Sequence, residues 1–156
     1  MNAKIYPSSI QGEISVPSSK SHTIRALIIA TLAGGRSYIR NPLLSDDCKA
    51  AMRIAGQFGS TVTAEDGVWI VDGPVDGLKT PDDIVNVDNS GTTLYFMTSV
   101  AALLRDYTVF TGDKSIRKRP VQPLLTALNQ LGAQSSTTRE GNACAPFFII
   151  GPIRGG

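Results

Sequence analysis

The residues best suited to chemistry in this 156-residue chain are small, hydroxylated or cationic, and they fall in three places. The first is Pro17-Ser18-Ser19-Lys20-Ser21, with Arg25 following Lys20 in the same stretch. The second is Asp88-Asn89-Ser90-Gly91-Thr92-Thr93, and the third is the basic run from Lys114 to Arg119, which ends at Pro120. The first two segments each lead into an apolar-periodic stretch and read as helix starts. A helix N-terminus offers free backbone N–H groups and partial positive charge, which suits it to anions. Ser21, Ser90, Thr92 and Thr93 add hydroxyl donors, and Gly91 lets a ligand come close to the backbone. Lys20 sits where the helix dipole disfavours a cation unless an anion compensates, and Arg25 supplies a fork for phosphate or carboxylate. Arg119, placed before a helix expected from Pro120, fits the same logic.

Each segment also has a plainer reading. Ser19 and Asn89 can be ordinary N-caps, Lys20 a snorkelling surface lysine, and the 114–119 run a solvated loop. Recurrence of the same kind of start favours the ligand reading. Brought to a common edge, Lys20, Arg25 and Arg119 would form a pocket for a small, multiply anionic substrate. His22, the only histidine, is expected to pack or cap beside that pocket rather than to catalyse. No nucleophile–base pair, metal-ligand spacing or nucleotide-binding glycine motif stands out, so neither cofactor nor metal is expected.

The elements that must position these residues come from an internal duplication. SKSHTIRALIIATLA, from Ser19, resembles NSGTTLYFMTSVAAL, from Asn89. QFG at Gln57–Gly59 recurs as QLG at Gln130–Gly132, and WIVDGP from Trp69 recurs as FIIGP from Phe148, with Val71 matching Ile149 or Ile150. Each copy begins with an apolar-periodic helix, carried by Ile24, Leu27, Ile28 and Leu32 in one and by Leu94, Met97, Val100, Ala101 and Leu104 in the other. Strands follow at Ser37–Arg40 and Tyr107–Thr111. Second helices follow at Asp46–Phe58, with Asp46 as N-cap, and at Pro120–Leu131, with Pro120 at the first helical position. Gly59 and Gly132 stand where helix C-terminal glycines belong. Hairpins close the copies: Thr61–Ala64 with Val68–Val71, and Gln134–Thr138 with Phe147–Ile150. Leading strands are expected at Glu13–Val16 and Ile84–Val87. The fold class is therefore α/β (α+β), a β-α-β-α-β-β unit present twice, about 13–74 and about 84–152. Residues 1–12, with Ile5 and Ile10 in apolar alternation, are expected to form a strand outside this scheme. The GPIRGG tail follows directly on a core strand, and the expectation is that further polypeptide supplies the rest of the fold.

Composition narrows the function classes. Hydrophobic residues make up 42% and charged residues 18%, enough apolar material for a packed core. A net charge of +2 is too balanced for a protein that coats nucleic acid. The longest apolar stretches fall far short of the roughly 18 residues of a membrane span, and MNAKIYPSSIQGEI has no apolar run like that of a secretory signal. Cys48 and Cys144 lack metal-ligand spacing and read as buried free thiols in a reducing, cytoplasmic setting.

Four motifs in order, SKSHTIRA, LLSDD at Leu43–Asp47, DNSGTT and TGDKSIRKRPVQPLLTALNQLGA at Thr111–Ala133, resemble the N-terminal part of the EPSP synthase (3-phosphoshikimate 1-carboxyvinyltransferase) family. The likeness runs over essentially the whole chain, which corresponds to roughly the first third of a family member. The resemblance implies two lobes, each of three β-α-β-α-β-β units, so that two units of one incomplete lobe are present here and residues 1–12 pair with the missing lobe. It implies transfer of the enolpyruvyl group of phosphoenolpyruvate to the 5-hydroxyl of shikimate 3-phosphate, with release of phosphate, in aromatic amino-acid biosynthesis.

Residue by residue, Lys20 resembles the catalytic family lysine that touches phosphoenolpyruvate and also faces shikimate 3-phosphate. Ser21 and Arg25 resemble the shikimate 3-phosphate contacts. Gly91 and Arg119 resemble phosphoenolpyruvate contacts that the inhibitor glyphosate also uses, with Asn89, Ser90 and Thr92 in support. The proton-transferring Asp, Glu and Lys belong to the other lobe, and a Ser-Ser-Gln contact motif would follow Gly156. The resemblance therefore implies a complementary C-terminal segment or lobe as partner, and no turnover by this chain alone. Many members carry Arg where this chain has Tyr95. The sister transferase acting on UDP-N-acetylglucosamine has a reactive Cys where this chain has Lys114, which favours the shikimate enzyme. A non-catalytic phosphate-binding subunit is the alternative from another class.

Overall fold

A computed structural model describes residues 3–9 and 11–154. The first half runs α1 (Lys20–Leu32), β1 (Arg36–Arg40), α2 (Asp46–Gln57), β2 (Thr61–Glu65) and β3 (Val68–Asp72). The second runs β4 (Val85–Asn86), α3 (Gly91–Ala101), β5 (Thr108–Thr111), a 3₁₀ turn (Ile116–Lys118), α4 (Gln122–Gln130), β6 (Gln134–Thr137) and β7 (Phe147–Ile150). The first sheet has strand order β1-β3-β2, all antiparallel. The second has order β4-β5-β7-β6, with β4 parallel to β5 and the other pairs antiparallel.

Register and burial show how the two halves correspond. Ser37 faces Val71 and Ile39 faces Trp69 in one sheet, while Thr108 faces Ile149 and Phe110 faces Phe147 in the other. Trp69, Val71, Phe147 and Ile149 are all buried, so Val71 matches Ile149 rather than Ile150. The glycines that end the repeated WIVDGP and FIIGP segments share one steric cause. A β-carbon on Gly73 would lie 2.8 Å from the Ala30 carbonyl oxygen, and one on Gly151 would collide with the Ala102 carbonyl. Each strand thus leaves its sheet against the end of its own first helix, at a spacing that excludes a side chain.

One hydrophobic core serves both halves. Ile24, Leu27, Ile54, Phe58, Leu94, Met97 and Phe110 are fully buried within it, and burial of such side chains contributes about 1.5–3 kcal/mol each. α1 packs on α2 and α3, and α2 also reaches β4. No helix among the described residues is long and apolar enough to cross a membrane.

Several expected elements differ. Glu13–Val16 is not a strand: Ile14 is 89% and Val16 77% exposed. Without apolar burial, a few ladder hydrogen bonds do not offset the entropy of ordering such a segment. The first half accordingly has five α-helices and strands where the second has six, the 3₁₀ turn aside. Of the strand expected over residues 1–12, Ile10 lies outside the described residues, and Ile5 is exposed in extended chain that belongs to no strand. Leu32 is exposed on α1 rather than in the core, and Leu104 falls beyond α3 yet packs on the core.

Three helix starts also shift. α2 is capped by Ser45, whose Oγ accepts from Cys48 N at 3.4 Å, which leaves Asp46 in the first turn. α3 is capped by Ser90 rather than Asn89. Pro120 precedes α4 instead of opening it, because the Val121 and Gln122 N–H groups donate to the Ala143 carbonyl at 2.7 and 3.3 Å. That ladder consumes the segment before the helix can begin, and Pro123 takes the place in the first turn where a missing N–H is tolerated. Asp66 and Gly67 both have positive φ, as a two-residue hairpin turn requires.

Candidate anion-binding site

Lys20 is the first residue of α1, where Ser19 caps the helix by accepting from His22 N at 3.4 Å. Its ammonium is not free: Nζ lies 2.6 Å from Asp47 Oδ2 in the first turn of α2. Ser21 is half-buried beside it, and His22 is exposed on the rim of a recess shared with Ser18, Ser19 and Arg40. One turn further along α1, the Arg25 guanidinium stands 5.6 Å from the centre of the Phe96 ring on α3. This cation–π contact holds an exposed arginine across the α1–α3 seam.

The second loop is bent by Asp88, whose φ of 51° is supported by its N–H donating to Asn86 Oδ1 at 3.0 Å. Its carboxylate receives Arg53 Nη2 from α2 at 2.7 Å, and the same nitrogen donates to the Asn86 carbonyl at 3.1 Å. Asn89 is left exposed at the turn. Ser90 is buried, with Oγ accepting from Thr93 N at 3.4 Å and 2.7 Å from Thr93 Oγ1. Ser90 is thus the N-cap of α3, and its hydroxyl and that of Thr93 are hydrogen-bonded to each other. Thr92 is half-buried on the first turn.

Gly91, the first residue of α3, meets the third loop. A β-carbon built on it would lie 2.6 Å from Arg119 Nη1. The loop is shaped by Asp113, whose Oδ1 accepts from Ser115 N at 2.8 Å and Ile116 N at 2.9 Å. The Ile116 N–H first, and then Ser115, holds the Asp113 carboxyl below the usual carboxylate range. Asp113 N donates to the Asp88 carbonyl at 2.7 Å, which joins the second and third loops directly. Arg117 turns back so that Nε donates to the Gly112 carbonyl at 2.8 Å. Tyr95 OH donates to the Pro120 carbonyl at 3.0 Å, which fixes the chain just after Arg119.

The structure thus brings Gly91 and Arg119 together, and it places Arg119 at the end of a 3₁₀ turn rather than at a helix start. Lys20 and Arg25 share α1, but the groove that Arg25 lines is apolar and includes neither Lys20 nor Arg119. Sequence reasoning missed Asp47, Arg53 and Asp113. Asp47 and Asp113 lie inside the LLSDD and TGDK motifs but carry no assigned partner in sequence, and Arg53 reads as an ordinary polar position of a helix. Among the described residues no group of three His, Cys, Asp or Glu side chains is arranged to hold a metal ion. Cys48 is buried, whereas Cys144 is only half-buried, and both are free thiols.

A duplicated α/β core, with two polar helix starts and a basic loop tied together by α2 and Asp113, defines the class to which the chain belongs: mixed α/β proteins built from repeated helix–strand–helix–hairpin units. The chain belongs to the EPSP synthase (3-phosphoshikimate 1-carboxyvinyltransferase) family, whose model matches residues 5–156. It is 45% identical to the 3-phosphoshikimate 1-carboxyvinyltransferase of Acetivibrio thermocellus, over 100% of this chain and 37% of that protein. It is 47% identical to the one of Methanothermobacter thermautotrophicus, over 95% of this chain and 35% of the relative. The chain therefore spans little more than a third of the length of these curated relatives. Its fold is similar to the EPSP synthase structure from Acinetobacter baumannii, with a TM-score of 0.81 and 27% identity over 91% of this chain and 32% of that one.

Proposed function

We propose that this chain supplies part of the substrate site of an enolpyruvyl transferase. The enzyme moves the enolpyruvyl group of phosphoenolpyruvate to the 5-hydroxyl of shikimate 3-phosphate and releases phosphate. The observation that carries the reading is the seating of the Arg119 guanidinium on Gly91, at a helix start, in a family member. A cation beside free helix N–H groups matches the phosphate and carboxylate of phosphoenolpyruvate. Lys20 supplies a cation where charge changes during the reaction, Ser21 and Arg25 take shikimate 3-phosphate, and Asn89, Ser90 and Thr92 hold the Gly91 turn in shape.

The partner in this reading is a complementary segment of the same fold. The groove between α1 and α3 supports it: Ile29 is 67% and Leu103 47% exposed there, beside Leu32 and Phe96. Such a contiguous apolar surface is a docking face rather than a solvated one. A cytoplasmic setting belongs to the same proposal and accords with two free thiols.

Phosphate release from phosphoenolpyruvate and shikimate 3-phosphate, measured on the chain alone and on the chain joined to the complementary segment of a relative, tests the reading. Turnover only in the joined form is expected. Turnover in neither form, with the joined protein folded, would overturn it.

A further inference from the structure

We infer that Asp47 is a positioning residue for Lys20, holding its ammonium at the helix start for the reaction proposed above; the inference rests on that reading. Lysine carries its charge on a flexible four-carbon stem, so without an anchor the ammonium samples many positions. Here Nζ is 2.6 Å from Asp47 Oδ2, and the Asp47 side chain is 14% exposed against 48% for Lys20. The carboxylate is therefore the fixed member of the pair and the lysine the guided one.

Two further contacts clamp the start of α2 onto the start of α1, and a third steadies the α2 cap itself. Leu43 N donates to Thr23 Oγ1 at 3.0 Å, Cys48 Sγ reaches the Lys20 carbonyl at 4.0 Å, and Ser45 Oγ lies 3.2 Å from Cys48 Sγ. Asp47 lies within this clamped segment. The neighbouring Asp46 provides an internal comparison. Its side chain is 94% exposed and only 3.8 Å from Lys49, so it serves the α2 dipole and nothing across the seam. One helix position apart, the two carboxylates have different tasks. The same helix carries Arg53 to Asp88, so α2 braces both anion-binding loops from behind.

The charge balance fixes the sign of the effect. Removing the Asp47 carboxylate leaves Lys20 with more net positive field, so binding of an anionic substrate is not weakened. What is lost is the position of the ammonium when charge moves. Asp47→Asn should therefore lower kcat by about tenfold to a hundredfold, the range for a misplaced reacting group, while KM for phosphoenolpyruvate stays level or falls.

The test uses the full chain joined to its complementary segment, with Asp47→Asn, Asp47→Glu and Asp46→Asn compared in the parent and in a Lys20→Met background. The expected result is a loss confined to kcat in Asp47→Asn, partial recovery in Asp47→Glu, and no change in Asp46→Asn. In the Lys20→Met background Asp47→Asn should add no further loss. Acylation of Lys20 by an amine-reactive ester, read by mass spectrometry against Lys49 and Lys79, should speed up several-fold in Asp47→Asn. An unchanged kcat, or an equal loss with and without Lys20, overturns the positioning role. An unchanged labelling rate overturns the pairing itself. Absence of turnover in the unsubstituted assembly overturns the functional reading, and the role of Asp47 in the reaction falls with it.

Discussion

Arg119 occupies the space that a side chain on residue 91 would need: its Nη1 lies 2.6 Å from the position of a Gly91 β-carbon. Two segments well separated in sequence thus share one volume, and the glycine serves the arginine before it serves any ligand. The obstacle is the end of a long, exposed side chain, so an added methyl group moves the guanidinium rather than the backbone.

Gly91→Ala should therefore separate stability from binding. Alanine gains up to about 1 kcal/mol of helix propensity, so Tm is expected to stay level or rise. Displacement of Arg119 should weaken phosphoenolpyruvate and glyphosate binding by about 1.5–3 kcal/mol, the scale of a charged hydrogen bond, and leave shikimate 3-phosphate largely unaffected. Calorimetric titration of each ligand alongside thermal melts checks this. Equal losses for both substrates that track a falling Tm would instead make Gly91 a folding residue.

The Tyr95 hydroxyl donates to the Pro120 carbonyl at 3.0 Å. Tyr95→Phe deletes that bond next to Arg119. A stability loss of about 0.5–1.5 kcal/mol is expected, together with weaker phosphoenolpyruvate binding, since the loop loses its tie to α3. Denaturant unfolding and the same titration, run on one preparation, measure both effects. Shikimate 3-phosphate affinity should not move.

The duplicated organisation was legible in sequence because the repeat fixes it. Hairpin turns and helix periodicity follow from local rules acting twice, whereas the match of Val71 to Ile149 rather than Ile150 is set by sheet register and burial. The leading strand at 13–16 was not legible. Ile14 and Val16 alternate as a buried strand would, yet they are exposed in this chain. Helix starts slipped by one or two residues wherever neighbouring residues compete to cap, as at Ser45 and Asp46 or Asn89 and Ser90. For the site, the cations were visible, and the carboxylates stood in quoted motifs without their partners being legible. Which of Asp46 and Asp47 faces Lys20 depends on about 100° of helix rotation, set by how α2 docks on α1 and not by either residue's type.

Asp113 gives the third loop a pH dependence. Its carboxyl is held below the ordinary carboxylate range by Ile116 N–H and Ser115, so its folded pKa is depressed relative to the unfolded chain. The resulting stability is fully present above the unfolded value, near 3.8, and is lost as pH falls through the lower folded value. Asp72, lowered by its hydrogen bond from Arg36, acts in the same direction elsewhere. Melting curves of the parent and Asp113→Ala across the acidic range should therefore converge at the lowest pH and separate above it. The Asp72 contribution cancels in that difference. A gap that stays constant with pH would mean that Asp113 shapes the loop without its charge.

Arg25 and Phe96 together set the shikimate 3-phosphate side of the proposed site. The guanidinium stands 5.6 Å from the ring centre, so Phe96 orients the fork. With the groove covered by the complementary segment and the charge pair desolvated, Arg25→Ala should cost about 2–5 kcal/mol of shikimate 3-phosphate affinity. Phe96→Leu keeps an apolar side chain in the α1–α3 groove but removes the π face, and should cost about 0.5–1 kcal/mol through Arg25 alone. The double variant should then bind no more weakly than Arg25→Ala, because the ring has nothing left to orient. Phosphoenolpyruvate affinity should be unchanged in all three, since Gly91 and Arg119 meet at the start of α3, outside the groove that Arg25 and Phe96 line. Titration of both ligands against the three joined proteins reads every term. An additive loss in the double variant would show that Phe96 acts by packing, through the seam between α1 and α3, and that Arg25 is oriented by some other contact.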